Sequence, residues 1–216
     1  QEDAALAAYR SGRYDEAIEA LQEKIGSGQD VPHDHRHLFR ALFEVGRYME
    51  AEEIARGFIE EYPESSDLHN SLGEVLWTKG HLDEAETAFQ EASDRRAGDW
   101  LTAELNLGIA AFDRGRRTEA MQRFDRFIDF YNNGEATTSS DLTAVGIACQ
   151  YLGISDSALY QDALKAFDEA VAADPNDLRP RILAGNLFLE KYDSGNAATE
   201  LGAVLQLNPY HPQALL

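Results

Sequence analysis

Residues 12–21 read GRYDEAIEAL, and residues 46–55 read GRYMEAEEIA. The phrase returns as GHLDEAETAF at 80–89 and GRRTEAMQRF at 115–124, so a Gly-x-x-x-Glu-Ala unit recurs at intervals of 34, 34 and 35 residues. A fixed period of that size marks a stacked repeat architecture, in which each unit buries its apolar face against its neighbours. Apolar positions inside each unit follow spacings of three and four, which indicates helices and argues against strands.

A second shared element lies upstream of the turn glycine or, in the last two units, of its counterpart. It reads LGEVL at 72–76, LGIAA at 107–111, VGIAC at 145–149 and AGNLF at 184–188. Each small residue sits mid-way along an apolar helical pattern. An alanine follows downstream (Ala85, Ala120, Ala163, Ala197), and four residues later comes a large apolar side chain (Phe89, Phe124, Phe167, Leu201). This layout resembles the tetratricopeptide repeat family, in which a small residue in the first helix faces an alanine in the second. Two antiparallel helices approach closely only where the side chains between them are small, and glycine supplies the left-handed residue that ends the first helix.

The resemblance covers essentially the whole chain and implies an all-α, right-handed α-solenoid (superhelix) of antiparallel helix pairs. Six units are expected, at about 1–31, 32–65, 66–100, 101–138, 139–177 and 178–211, with residues 212–216 as the start of a seventh. Pro63, Pro175 and Pro209 fall where the second helix breaks, because proline cannot continue it. Several positions depart from the pattern. Ala5 stands in a first unit that lacks its opening turn. Phe39 replaces the small residue of the second unit, so that helix pair is expected to be splayed. Tyr192 replaces the turn glycine of the sixth. The polar stretch YNNGEATTSSD at 131–141 lengthens one join, and Gly153 and Ala163 stand ten residues apart instead of five. The extra ISDSA segment offers Ser155, Asp156 and Ser157 as helix caps and predicts a longer turn. These two irregularities could mark a bend between the first four units and the last two.

The net charge of -20 comes from 39 acids against 19 Lys plus Arg. It argues against general binding to nucleic acid or to an anionic membrane. The acid-rich, lysine-poor composition resembles that of proteins from salt-accumulating halophiles; the alternative is a merely acidic, soluble repeat protein. No apolar run reaches membrane-spanning length and no secretory leader is legible. The chain begins without Met, which suggests a removed leader or excision from a longer protein; the setting is cytoplasmic or, after leader removal, bacterial periplasmic or exported. The single cysteine, Cys149, sits among apolar neighbours and reads as a small buried hydrophobe.

No P-loop, dinucleotide fingerprint, HExxH or nucleophile elbow occurs, so no enzymatic activity and no cofactor are expected. The one tempting cluster is PHDHRH at 32–37, where His33 and His37 stand four apart. A structural zinc site needs about four ligands, and no further partner is near in sequence, so no metal is expected.

What remains is surface. The resemblance implies that the first helices line a concave groove. Its expected lining is His33, Arg36, Arg40 and Phe43, then Asn70 and Trp77, then Leu105, Asn106, Ile109 and Phe112. Two readings of the arginines stay open: Arg36 and Arg40 pair with Asp67 or Glu74 across the repeat boundary, or they capture an acidic group of a partner. The family's two-carboxylate clamp does not carry over, because Glu2 and Leu6 stand at its first positions. The expected function is a protein-interaction scaffold that binds a protein or peptide in the groove. The alternative is the recognition arm of a larger protein, such as a bacterial exported peptidase or secretion component, and self-association through repeat ends is a third option.

Overall fold

A computed structural model describes residues 3–28, 32–98 and 100–215. Among these residues it contains twelve α-helices, a terminal 3-10 turn and no strand. The helices are α1 (Ala4–Arg10), α2 (Tyr14–Gly26), α3 (Pro32–Glu44), α4 (Tyr48–Glu61), α5 (Ser66–Thr78), α6 (Leu82–Asp94), α7 (Trp100–Asp113), α8 (Arg117–Asn132), α9 (Ser139–Leu152), α10 (Leu159–Ala173), α11 (Arg179–Glu190) and α12 (Ser194–Leu207). Odd-numbered helices are the first members of pairs. The described residues form two compact units, 1–103 and 104–216, with the division inside α7.

The turn inside each of the first four pairs has one chemistry. Gly12, Gly46, Gly80 and Gly115 take φ values of 77°, 75°, 81° and 79°. The next amide then reaches back to close the helix end: Arg47 N donates to the Leu42 carbonyl at 2.9 Å, and His81 N to that of Leu76 at 2.9 Å. The last pair makes the same closure without glycine. Tyr192 adopts φ 60°, and Asp193 N donates to the Phe188 carbonyl at 2.8 Å. The backbone hydrogen bond therefore outweighs the left-handed strain, about 1–2 kcal/mol for a residue with a Cβ. The α9–α10 turn is different: Gly153 keeps a right-handed φ of -58°, and the Asp156 carboxylate accepts the Ala158 amide at 3.0 Å. None of the three candidate residues caps α10, whose N-cap is Ala158 without a side-chain bond; Asp156 closes the turn before it. The longer join before α9 ends in a reciprocal capping box between Thr138 and Asp141.

Packing inside the pairs follows a register of sixteen residues. Gly73 faces the ring of Phe89, and a Cβ added there would strike that ring. At Gly108 an added Cβ would lie 2.6 Å from Phe124, and at Gly185 2.7 Å from Leu201. Gly146 meets Phe167 in the same way, five residues later in register because of the inserted turn. The α3/α4 pair keeps the register and inverts the sizes. Phe39, with no exposed surface, takes the small-residue position, and Ala55, also fully buried, takes the position that elsewhere holds phenylalanine. α3 and α4 nevertheless approach each other over less of their length than α5 and α6 do, in line with the splaying expected from Phe39.

Each unit has its own apolar core. In 1–103 it includes Ile18, Leu21, Phe39, Leu42, Val75, Leu76 and Phe89; in 104–216 it includes Phe124, Phe127, Phe167 and Leu187. Cys149 lies in the second core, where burial first and nearby Asp162 second push its thiol up to about 11. It is a packing residue, held in its unreactive protonated form at neutral pH. No helix among the described residues is long and apolar enough to cross a membrane.

Candidate interaction face

Within the first unit, α1 packs beside α3 and α3 beside α5. Each first helix presents the residues at -3, +1 and +4 from its register position along one stripe, as the helical period requires. At +1 stand Arg40 and Glu74, one repeat apart and opposite in charge. Arg40 binds Glu74 through two hydrogen bonds, Nη1 to Oε2 at 2.5 Å and Nη2 to Oε1 at 3.1 Å. The Asn70 amide donates to the same Glu74 Oε1 at 3.0 Å. One turn away, Arg36 and Asp67 are 3.7 Å apart and looser. A bidentate arginine–carboxylate pair fixes geometry more than it adds stability when partly exposed. The arginines of this face are thus engaged across the α3–α5 boundary, as the first of the two readings expected.

The aromatic residues at +4 occupy the end of the stripe. Phe43 is partly buried, edge-on to Tyr48 at 5.2 Å and tilted against Phe39 at 5.8 Å. Trp77 is also partly buried. Tyr9 stands at the same register position on α1 and belongs with them; it meets Tyr14 edge-on at 5.7 Å and the His37 ring at 5.6 Å. The progression 9, 43, 77 was available in the sequence, hidden because α1 belongs to an abbreviated first unit. Asn70 is 2% exposed, so it supports Glu74 from inside and does not line the surface.

In the second unit, Asn106, Ile109 and Phe112 are partly exposed on α7. Leu105 has no exposed surface and is a core residue, correcting its expected place in the lining. Its neighbour Glu104 is likewise buried, at 4% exposure, and is held by Arg123 at 3.1 Å and Arg126 at 2.7 Å. The Arg117 guanidinium lies 3.5 Å from the Phe112 ring centre, and Tyr151 abuts the same ring at 4.8 Å. Burial first and Asp113 second raise the Tyr151 phenol above its ordinary value. A guanidinium already over Phe112 covers part of the surface that a ligand would use.

The side chain of His33 lies outside the described residues, as does all of Glu2, so the geometry of the His33/His37 pair is not part of this face. Among the described residues no group of three or more His, Cys, Asp or Glu is arranged to hold a metal ion. Two buried histidines serve packing. His35 stacks on Phe58 at 3.8 Å, and His69 lies with Nε2 2.9 Å from the Pro63 carbonyl and Nδ1 2.9 Å from Glu91.

Comparison with known proteins agrees with this geometry. Residues 37–100 and 79–135 match the model of the tetratricopeptide repeat. Over 146 residues, 66% of this chain, the sequence is 27% identical to the Protein CTR9 homolog of Arabidopsis thaliana. The matched segment spans 13% of that relative's length. Among solved structures, a thermophilic tetratricopeptide protein of Thermus thermophilus superposes with a TM-score of 0.59 at 18% identity, covering 86% of this chain and 95% of its own. PilF of Pseudomonas aeruginosa superposes with a TM-score of 0.54 at 17% identity, covering 98% of this chain and 91% of its own.

Proposed function

This chain is a tetratricopeptide repeat protein, and on that premise we propose that it is a non-catalytic scaffold that holds a segment of a partner protein on the first-helix face of residues 1–103. The observation that carries the reading is the Arg40–Glu74–Asn70 lattice, which fixes α3 against α5 and aligns Phe43 and Trp77 at equivalent positions of consecutive repeats. Aromatic anchors on a rigid polar support are the usual composition of an interaction hot spot. With Arg40 held by Glu74 and Arg36 beside Asp67, the four charges balance, and an acidic group on the partner is not required. Anchoring falls to the rings.

A partner recovered with the tagged chain from its source cells supplies the test. Phe43→Ala with Trp77→Ala weakens that partner's binding at least about tenfold, the loss typical of removed aromatic anchors. Met49→Ala, at a residue 70% exposed on α4, leaves it unchanged. Equal loss from all three substitutions would place the contact elsewhere. A second reading, a recognition arm within a longer protein, draws on the length of the curated relative, and the same face would serve it.

A further inference from the structure

We propose that His69 is a proton-operated tie in the α5/α6 pair. As an imidazolium it joins the α4–α5 connection to α6; as a neutral ring it keeps the connection and releases Glu91 of α6. The tie lies within residues 1–103 and is independent of the docking face proposed above. His69 stands in the first turn of α5 and is 5% exposed. Its Nε2 lies 2.9 Å from the carbonyl oxygen of Pro63, in the connection before α5, and its Nδ1 lies 2.9 Å from Glu91 Oε2. One buried ring thus meets two other elements, one through each nitrogen.

Both partners are acceptors. A backbone carbonyl and an ionised carboxylate have no proton to give, so each needs an N–H from the ring. Neutral imidazole offers one N–H and one lone pair, whereas imidazolium offers two N–H groups. Both bonds exist together only in the charged form. Histidine is the side chain whose charge changes between about pH 5 and 8, so the two bonds are made together at the acid end of that range and not at the other.

The mobility of the two partners decides which bond the neutral ring keeps. The Pro63 carbonyl belongs to the main chain and is held from a second side by Arg95, whose Nε donates to it at 3.1 Å. The Glu91 side chain is 52% exposed and is free to rotate into water. A lone pair on Nδ1 therefore expels Glu91, and the remaining proton stays on Nε2. Two charged groups thus act on the ring: Glu91 on α6 attracts the imidazolium, and Arg95, the residue after α6, opposes it through the shared carbonyl. His81 differs. Its Nδ1 lies 3.3 Å from Glu84 on an exposed turn, and a single N–H makes that contact in either charge state.

The test uses the full 216-residue chain labelled with ¹⁵N. Long-range ¹H–¹⁵N spectra of the imidazole rings read which nitrogens carry protons. At about pH 5.5 His69 is expected to carry two, and at about pH 8 one, on Nε2. Amide hydrogen exchange, corrected for its intrinsic dependence on pH, reads the tie itself. Amides at the start of α5, that of His69 among them, are expected to open about two- to fivefold more readily at the higher pH, the range that an ion pair with one exposed partner supports. Glu91→Gln separates the tie from general effects of pH. The glutamine amide presents either an oxygen or an N–H to Nδ1, so the contact survives in both charge states and the pH difference in exchange is expected to vanish. His69→Gln, which removes the titrating ring, is expected to abolish the difference as well, and thermal melting checks that both variants fold. A proton on Nδ1 at the higher pH overturns the inference. So does exchange in the unaltered chain that is indifferent to pH, or a pH difference that persists in folded Glu91→Gln.

Discussion

The α3/α4 and α5/α6 pairs solve the same packing problem in opposite ways. In α5/α6 the first helix carries glycine, Gly73, and the second carries the ring, Phe89. In α3/α4 the first helix carries the ring, Phe39, and the second carries the small residue, Ala55, with both fully buried. In these two pairs one large and one small side chain meet at a sixteen-residue offset, on either helix. Close packing constrains the sum of volumes between two helices, and individual sites are free as long as the sum is kept. This chain uses both arrangements, and the inverted pair is the less closely apposed of the two.

Overfilling one pair should reveal the constraint. Gly108→Leu drives a side chain into Phe124, whose ring would lie 2.6 Å from the new Cβ. Overpacking of a well-filled core costs about 1–3 kcal/mol, and the upper end is expected here, read as a lower urea midpoint at unchanged m-value. Adding Phe124→Ala to that variant recreates the α3/α4 arrangement and should recover most of the loss. A variant that stays destabilised after Phe124 is truncated would show that the glycine serves the helix backbone and not the volume. A smaller effect of opposite sign is expected from Gly57→Ala on α4, where nothing lies within 4 Å of the added Cβ. This glycine is exposed, in mid-helix and without a packing role, so alanine should stabilise by about 0.5–1 kcal/mol, measured by the same unfolding curves. The two helical glycines differ only in what faces them.

Much of this was legible in the sequence because repetition displays the same constraint several times. The turn glycines at 12, 46, 80 and 115 announced left-handed residues, and all four adopt them. The extra residues after Gly153 announced a longer turn. Three features were not legible for physical reasons. Ala55 matters only as the partner of Phe39, and a one-helix reading sees the substitution without its compensation. Leu105 and Ile109 are both apolar and lie one helical turn apart on the same face, yet Leu105 is fully buried and Ile109 partly exposed, because what packs over each comes from other helices. The arginines on α3 offered two fates, and the +1 register that opposes Arg40 to Glu74 decides for pairing, a relation between repeats that no single helix contains.

The most direct test of the account is a double-mutant cycle at the inverted pair, with Phe39→Gly, Ala55→Phe and the double variant unfolded in urea. Phe39→Gly alone should cost about 3–5 kcal/mol as a large cavity opens, and Ala55→Phe alone about 1–3 kcal/mol from overpacking. The account predicts that the double variant, which restores the α5/α6 arrangement, is more stable than either single one, with a coupling of about 2 kcal/mol or more. Strict additivity of the two losses would contradict it.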